Sequence, residues 1–383
     1  MNFEPYLVRT PQELKEASLR HGGLEVTHQL NSKEAHISAS RWTRRHLIAY
    51  RLLNRREQAF LPVLRPGHDT VLGNNPRALY SGSEGELMRL PDGFFWVALS
   101  RAVRSEAPEA IRSHPQRHRS QVEHPGFMNS SLEIMGSSSP TIPSASEFGS
   151  DHSEPFGEDE NDARRSKPEE VTVHLAISFL QLALHLILVQ DENGQMEVRP
   201  RVERKMTLAS TMDGALIAAE DDGGICLMRR VPNGWKEEHP FLALLEAKRS
   251  FRDIRFDDET NKGNPMISDE TLAQYLGEAV ITWRGRQDLL AHEVFLVAAT
   301  STFVRFIHFR FGTSYLEYLD AEDVATQQAI AEDPEKDTYV HMDSSEWFNL
   351  QSPEGRRNAL CHILALLNWH EAHRSTSSQV VLE

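Results

Sequence analysis

Between residues 105 and 168 this chain lacks the composition to build a core. From Ser130 to Ser153, nine of 24 residues are serine, and Pro140 and Pro143 interrupt the stretch. The run from Glu147 to Asp162 then carries seven acids and only two aromatics. So little apolar surface cannot offset the chain entropy lost on ordering, which predicts disorder. The 383 residues therefore divide into a partly helical N-terminal region at 1–104, a Ser-rich acidic linker at 105–168 and a folded domain at 169–383. The length allows two domains, or one domain with long insertions.

Charge follows the same division. The whole chain has a formal net charge of −15. Residues 1–103 hold a balance of +4, residues 104–170 one of −6 and residues 171–383 one of −13. A general nucleic-acid coat needs a surplus of Lys and Arg, and this chain has none overall. A local basic segment does exist. Ser38–Leu61 opens on a capping serine and carries Trp42, Leu47, Ile48, Leu52 and Leu53 at helical spacing, with Arg41, Arg44, Arg45, Arg51, Arg55 and Arg56 between them. The pattern predicts an amphipathic helix. Its basic face either contacts phosphate, faces solvent or docks on the acidic back half.

Two cysteines, Cys226 and Cys361, make no disulfide framework and fit a reducing compartment, nucleus or cytosol. The opening MNFEPYLVRT shows no basic segment leading into an apolar run, so no secretory signal is visible. Val171–Val189 is nearly long enough to span a bilayer, yet it contains His174, Ser178, Gln181 and His185, which are costly in lipid. It reads as a buried core helix with the histidines at its edge, and no membrane partner is expected.

The back half then turns to strand character. Met206–Asp221 and Ile225–Val231 flank Asp222-Gly223-Gly224, which predicts a hairpin. A second turn falls at Asn233–Trp235, and Phe241–Phe251, Glu293–Thr300 and Thr302–Gly312 read as further strands. Helices are expected over Ser268–Arg284 and Ser352–His373. The order is α-β-β-β-α-β-β-α, an α/β domain with helices packed on a mixed central sheet. Near the end of the third strand stand Glu246 and Lys248, two apart and hence on one face. A second carboxylate from a neighbouring strand, such as Asp213, can converge there. Two carboxylates and the Ala247 carbonyl form a hard-oxygen site suited to Mg²⁺ or Mn²⁺. Such an ion lowers the pKa of bound water and offsets charge on a phosphate under attack.

On these residues the chain resembles the PD-(D/E)XK nuclease superfamily, and within it the fungal nuclease-like proteins. The resemblance rests on Asp213-Gly214, Glu246-Ala247-Lys248, the following helix with Gln274, and Ser345–Trp369. It spans roughly residues 169–373. Met212 stands where the family's name-giving proline would be. The resemblance implies a restriction-endonuclease-like core and Mg²⁺-dependent phosphodiester hydrolysis. Asp213 and Glu246 would bind the metal with the Ala247 carbonyl, Lys248 would assist catalysis and Gln274 would support the site. The substrate it implies is nucleic acid, DNA ahead of RNA, and nucleases of this fold often act as homodimers. Many members add an acid on the first helix, here Glu169 or Glu170. The rival expectation is a nuclease-fold binding module without turnover, with Glu246 and Lys248 as a plain ion pair. His370 and His373 lack the spacing of a zinc motif and read as a solvated helix end.

Overall fold

The strand that carries Glu246 is apolar without a break from Phe241 to Leu245. A run buried on both faces belongs in the middle of a sheet covered on both sides. The computed structural model places it there. It describes residues 5–64, 83–104, 169–187, 194–210, 216–248, 253–256 and 263–380. Asp213 and the linker at 105–168 lie outside these described residues.

In chain order the helices are α1 (Pro11–Arg20), α2 (Ser32–Ala35), α3 (Arg44–Ala49), α4 (Glu84–Leu87), α5 (Gly93–Val103), α6 (Glu169–Ile187), α7 (Asp269–Gly285), α8 (Tyr315–Leu319), α9 (Val324–Glu332) and α10 (Pro353–Val380). The strands are β1 (Leu52–Asn54), β2 (Met196–Arg201), β3 (Lys205–Ser210), β4 (Leu216–Asp221), β5 (Gly224–Val231), β6 (Gly234–Lys248), β7 (Asp253–Phe256), β8 (Gly263–Met266), β9 (Glu293–Thr300), β10 (Phe303–Phe311), β11 (Val340–Ser344) and β12 (Phe348–Asn349). Eight of them form one mixed sheet in the order β1-β11-β10-β9-β6-β5-β2, with β12 paired to β10. Strand β6 runs parallel to β9 and antiparallel to β5, which is antiparallel to β2. The ribbons β3-β4 and β7-β8 stand apart from this sheet. The architecture is α/β, a mixed central sheet flanked by helices, as the sequence predicts.

Period-two alternation sends side chains into two cores. Leu244, Leu296, Ala298, Ile307 and Phe309 face one core, shared with α7 residues such as Leu276 and Val280. Leu245, Ala247, Val297 and Phe306 face the other, shared with Phe179 and Leu180 of α6 and Ile363 and Leu366 of α10. Helix α6 is the core helix expected: Leu175, Phe179, Leu180 and Leu182 are buried, while His174 and His185 are exposed. No helix among the described residues is long and apolar enough to cross a membrane.

Three expectations are corrected. The front of the chain is not a separate region. Described residues on both sides of the linker fold as one compact unit. Trp42, Leu47 and Leu52 lie in the first core, and Leu61, Phe95 and Leu99 in the second. The basic amphipathic helix over 38–61 does not form either. A 3₁₀ turn (Ala39–Arg41) and the short α3 are followed by Arg51 at a φ of 59°, which ends the helix. Leu52–Asn54 then pairs in parallel with Val340–Met342 at the sheet edge. The arginines are dispersed: Arg44 meets Asp269, Arg45 meets Glu34 and Arg55 meets Asp343. Finally, Asp222–Gly224 is not a hairpin. Strands β3 and β4 form the hairpin of that region, pairing with each other from Lys205↔Asp221 to Ser210↔Leu216. The Asp222–Gly224 segment then carries the chain out of the ribbon into β5. Only glycine fits that crossing. Gly223 has a φ of 133° and Gly224 one of 153°, and a Cβ on Gly224 would lie 2.1 Å from the Ala243 carbonyl oxygen.

A chain beginning at residue 165 lacks Trp42, Leu47, Leu52, Phe95 and Leu99, and so leaves both cores open. It is expected to show no cooperative thermal unfolding by circular dichroism where the full chain melts in one step. An unchanged melt would count against the shared core.

Candidate active site

The two ends of the Asp222 crossing are fixed by an ion pair. Arg201, at the end of β2, is 3% exposed and grips Asp221 with two bonds of 2.7 and 2.8 Å. The same guanidinium donates to the carbonyls of Glu203, Gly223 and Pro240. Burial pushes the Asp221 carboxyl up, and Arg201 opposes that shift. The crossing is thereby held against β6. The Asp222 N–H donates to the Leu245 carbonyl at 2.9 Å, and the Leu245 N–H returns to the Gly223 carbonyl at 3.0 Å. The Ala247 N–H then donates to Asp222 Oδ2 at 3.0 Å. Asp222 is thus set beside Glu246, and its Oδ1 faces Arg204 at 3.2 Å.

Glu246 projects to the α7 side of the sheet, where it is 2% exposed. Its Oε1 accepts from Lys248 Nζ and from Gln274 Nε2, both at 2.5 Å. Gln274 also donates to Glu278 Oε1 at 2.9 Å, one helical turn along α7. Glu278 is 1% exposed and its Oε2 meets no donor. The Tyr275 hydroxyl, buried nearby, also lacks a partner among the described residues. Glu169, half-buried at the start of α6, adds its charge to this group through Lys248 and Asp222.

Electrostatics at the cluster are dominated by buried negative charge. Burial raises the Glu246 carboxyl above the usual carboxylate range; Lys248 opposes this and Asp222 adds to it. Burial and the adjacent Glu246 raise Glu278 as well, and because the Lys248 ammonium sits on Glu246, the proton of the pair falls to Glu278. Burial works against the Lys248 ammonium, but Glu246 and Glu169 outweigh it and hold Lys248 above its ordinary value. Lys248 is therefore a fixed cation and no general base. Among the described residues, the four carboxyl groups of Glu169, Asp222, Glu246 and Glu278 face two cations, Lys248 and Arg204. The donors are all hard oxygens, the set that suits Mg²⁺ or Mn²⁺. No group of three or more His, Cys, Asp or Glu able to hold a metal ion occurs among the described residues.

Of the residues singled out in the sequence, Glu246, Lys248 and Gln274 converge directly. Ala247 contributes its N–H, and its methyl faces the second core. Asp213 lies outside the described residues; among the described residues, the aspartate beside Glu246 is Asp222. Sequence reading missed Asp222 because its two following glycines imitate a hairpin turn. It missed Glu278, although the spacing to Gln274 puts both on one helix face. His370, expected at a solvated end, is instead pushed down to about 3 by burial, and its Nε2 bonds the Leu242 carbonyl at 2.7 Å. No family model matches this chain, and no curated protein matches its sequence.

Two measurements check this arrangement. Arg201→Met strips the buried Asp221 of its partner and is expected to cost about 3–5 kcal/mol in urea unfolding; a loss within ~0.5 kcal/mol would refute the bracing role. The second concerns Glu278. Its folded pKa lies above its unfolded one, so the native state keeps a proton that the unfolded chain releases. Stability is then full below the ordinary carboxyl range and falls as pH rises toward the raised value, by up to about 1.4 kcal/mol per pH unit. Glu278→Gln in EDTA is expected to flatten that slope between about pH 5 and pH 8, as read by urea midpoints. An unaltered slope would show that Glu278 is not the proton carrier.

Proposed function

We propose that this chain is a metal-dependent nuclease of the restriction-endonuclease-like fold. The reading is carried by one observation: Asp222, in the crossing that leads into β5, and Glu246-Ala247-Lys248 of the neighbouring β6 are brought together, with Gln274 closing the site from the next helix. The order α6, β2, β5, β6, α7, β9, with β6 antiparallel to β5 and parallel to β9, agrees with the core that the resemblance implies.

Asp222 and Glu246 would hold Mg²⁺ or Mn²⁺. Magnesium commonly uses one or two carboxylates and completes its shell with water and substrate phosphate, so these two residues suffice. Bound there, the ion supplies a more acidic water and charge compensation at the phosphorus. Lys248, held as an ammonium, donates a hydrogen bond to the attacking water or to a phosphoryl oxygen and offsets the charge that builds up. Gln274 fixes Glu246 in the orientation needed. Glu278 keeps its proton, which limits the negative charge that the incoming phosphate meets. The substrate is a nucleic acid, with DNA ahead of RNA.

A binding module without turnover is the second reading. It is favoured by the fate of the front arginines, several of which are committed to Asp269, Glu34 and Asp343. Both readings meet in one experiment. The full chain is assayed on plasmid and on single-stranded DNA with Mg²⁺ or Mn²⁺. Cleavage is expected, with Asp222→Asn, Glu246→Gln and Lys248→Ala each lowering it by at least ~100-fold. Asp213→Asn in the same assay tells whether Asp222 or Asp213 is the aspartate that matters. Metal uptake without cleavage, or full activity in Lys248→Ala, would favour the module.

A further inference from the structure

The end of α7 carries Val280, Ile281 and Arg284 at helical spacing, on one face. That face is not packed solid. With Leu30, Ile217 and Leu319 it walls a cavity of about 250 Å³, and most of the wall is apolar. A cavity of about 150 Å³ is enough for benzene, so this one has room for roughly ten non-hydrogen atoms.

Two donors stand in the wall. Tyr50, at the end of α3, is 7% exposed. Its ring stacks on Trp42 with the centroids 4.3 Å apart, and its carbonyl accepts from the Tyr315 hydroxyl at 3.0 Å. The Tyr50 hydroxyl itself bonds no described residue, yet it is not sealed as the Tyr275 hydroxyl is. Burial raises the phenol above its ordinary range and Arg284 opposes that shift, so the phenol stays protonated within reach of the guanidinium's field. Arg284 is anchored from two sides: Nε donates to the Ser210 carbonyl at 2.7 Å and Nη2 to Asp320 at 2.6 Å. Its Nη1 bonds no described residue and is likewise unsealed. The wall's other ionisable groups are His28 and His36, each with one ring nitrogen tied to a carbonyl, of Ala321 and of Ser32. No Asp or Glu occurs among the described residues of the wall.

We infer that this cavity binds a small apolar monocarboxylate, whose two oxygens accept from the Tyr50 hydroxyl and from Arg284 Nη1. Bonds of this kind to an ionised acceptor are the stronger ones. A guanidinium already shared with Asp320 matches one negative charge and not a phosphate dianion. The apolar wall takes the hydrocarbon part, and the few fixed polar groups orient it. This site does not depend on the nuclease reading, since it shares no residue with the Asp222–Glu246 cluster.

Titration calorimetry of the full chain with phenylacetate, its neutral isostere phenylacetamide and inorganic phosphate tests the inference. Phenylacetate is expected to saturate one site with a Kd below about 1 mM. Phenylacetamide is expected to bind at least about tenfold more weakly, and phosphate not to bind. Tyr50→Phe should weaken phenylacetate about tenfold and leave the melting temperature unchanged, because the hydroxyl makes no bond within the described fold and the stack on Trp42 is kept. Arg284→Gln should weaken it at least as much; Tyr50→Phe keeps the test decisive if Arg284→Gln fails to fold. Absence of saturable phenylacetate binding, equal affinity for the amide, binding of phosphate alone, or full affinity in Tyr50→Phe would overturn it.

Discussion

The buried pair of Arg201 and Asp221 is the contact on which the candidate site depends. A buried ion pair is a poor source of net stability, because desolvation consumes most of the Coulomb gain. Its value here is positional. Five bonds from one guanidinium hold the carboxylate and three carbonyls around the point where the chain leaves the β3-β4 ribbon for the main sheet. Asp222 is the next residue, and the ladder bonds to Leu245 and Ala247 transfer that fixed position to the strand bearing Glu246. Two glycines complete the crossing because a Cβ would strike the Arg201 carbonyl at Gly223 and the Ala243 carbonyl at Gly224.

The cluster so formed is electrostatically incomplete. Burial raises Glu246 and Glu278, and one proton on Glu278 relieves part of the repulsion. Among the described residues, Lys248 and Arg204 stand against these four carboxyl groups, Arg204 paired with Asp222 and acting also on Glu169. Excess negative charge on hard oxygens, beside a lysine held protonated, is what the proposed nuclease reading requires for a divalent cation and a phosphate to meet.

Net charge had a different meaning before the fold was considered. In the sequence the one concentrated basic segment lies near the front of the chain, and contact with phosphate is one of three roles open to it. Arginines at helical spacing do not make a helix when the next apolar pair, Leu52 and Leu53, is claimed by the sheet edge. Arg44, Arg45 and Arg55 then serve the fold, each against an acid distant in sequence or on a neighbouring element. In the proposed nuclease, phosphate affinity at the site would come from a bound cation and from Lys248 rather than from these arginines.

Sequence alone determined the α/β class, the two-sided burial of the β6 strand and the meeting of Glu246 with Lys248. Those follow from short-range periodicity: two residues apart on a strand means one face. It also indicated Gln274 on the helix that follows. Only the tertiary structure decided that residues 5–64 and 83–104 complete both cores, that Asp222 stands beside Glu246, and that Glu278 holds a proton next to it. Each of these depends on pairings between residues far apart along the chain. Local pattern carries no record of such pairings, whereas a carboxylate's partner and its protonation are set by what burial brings next to it.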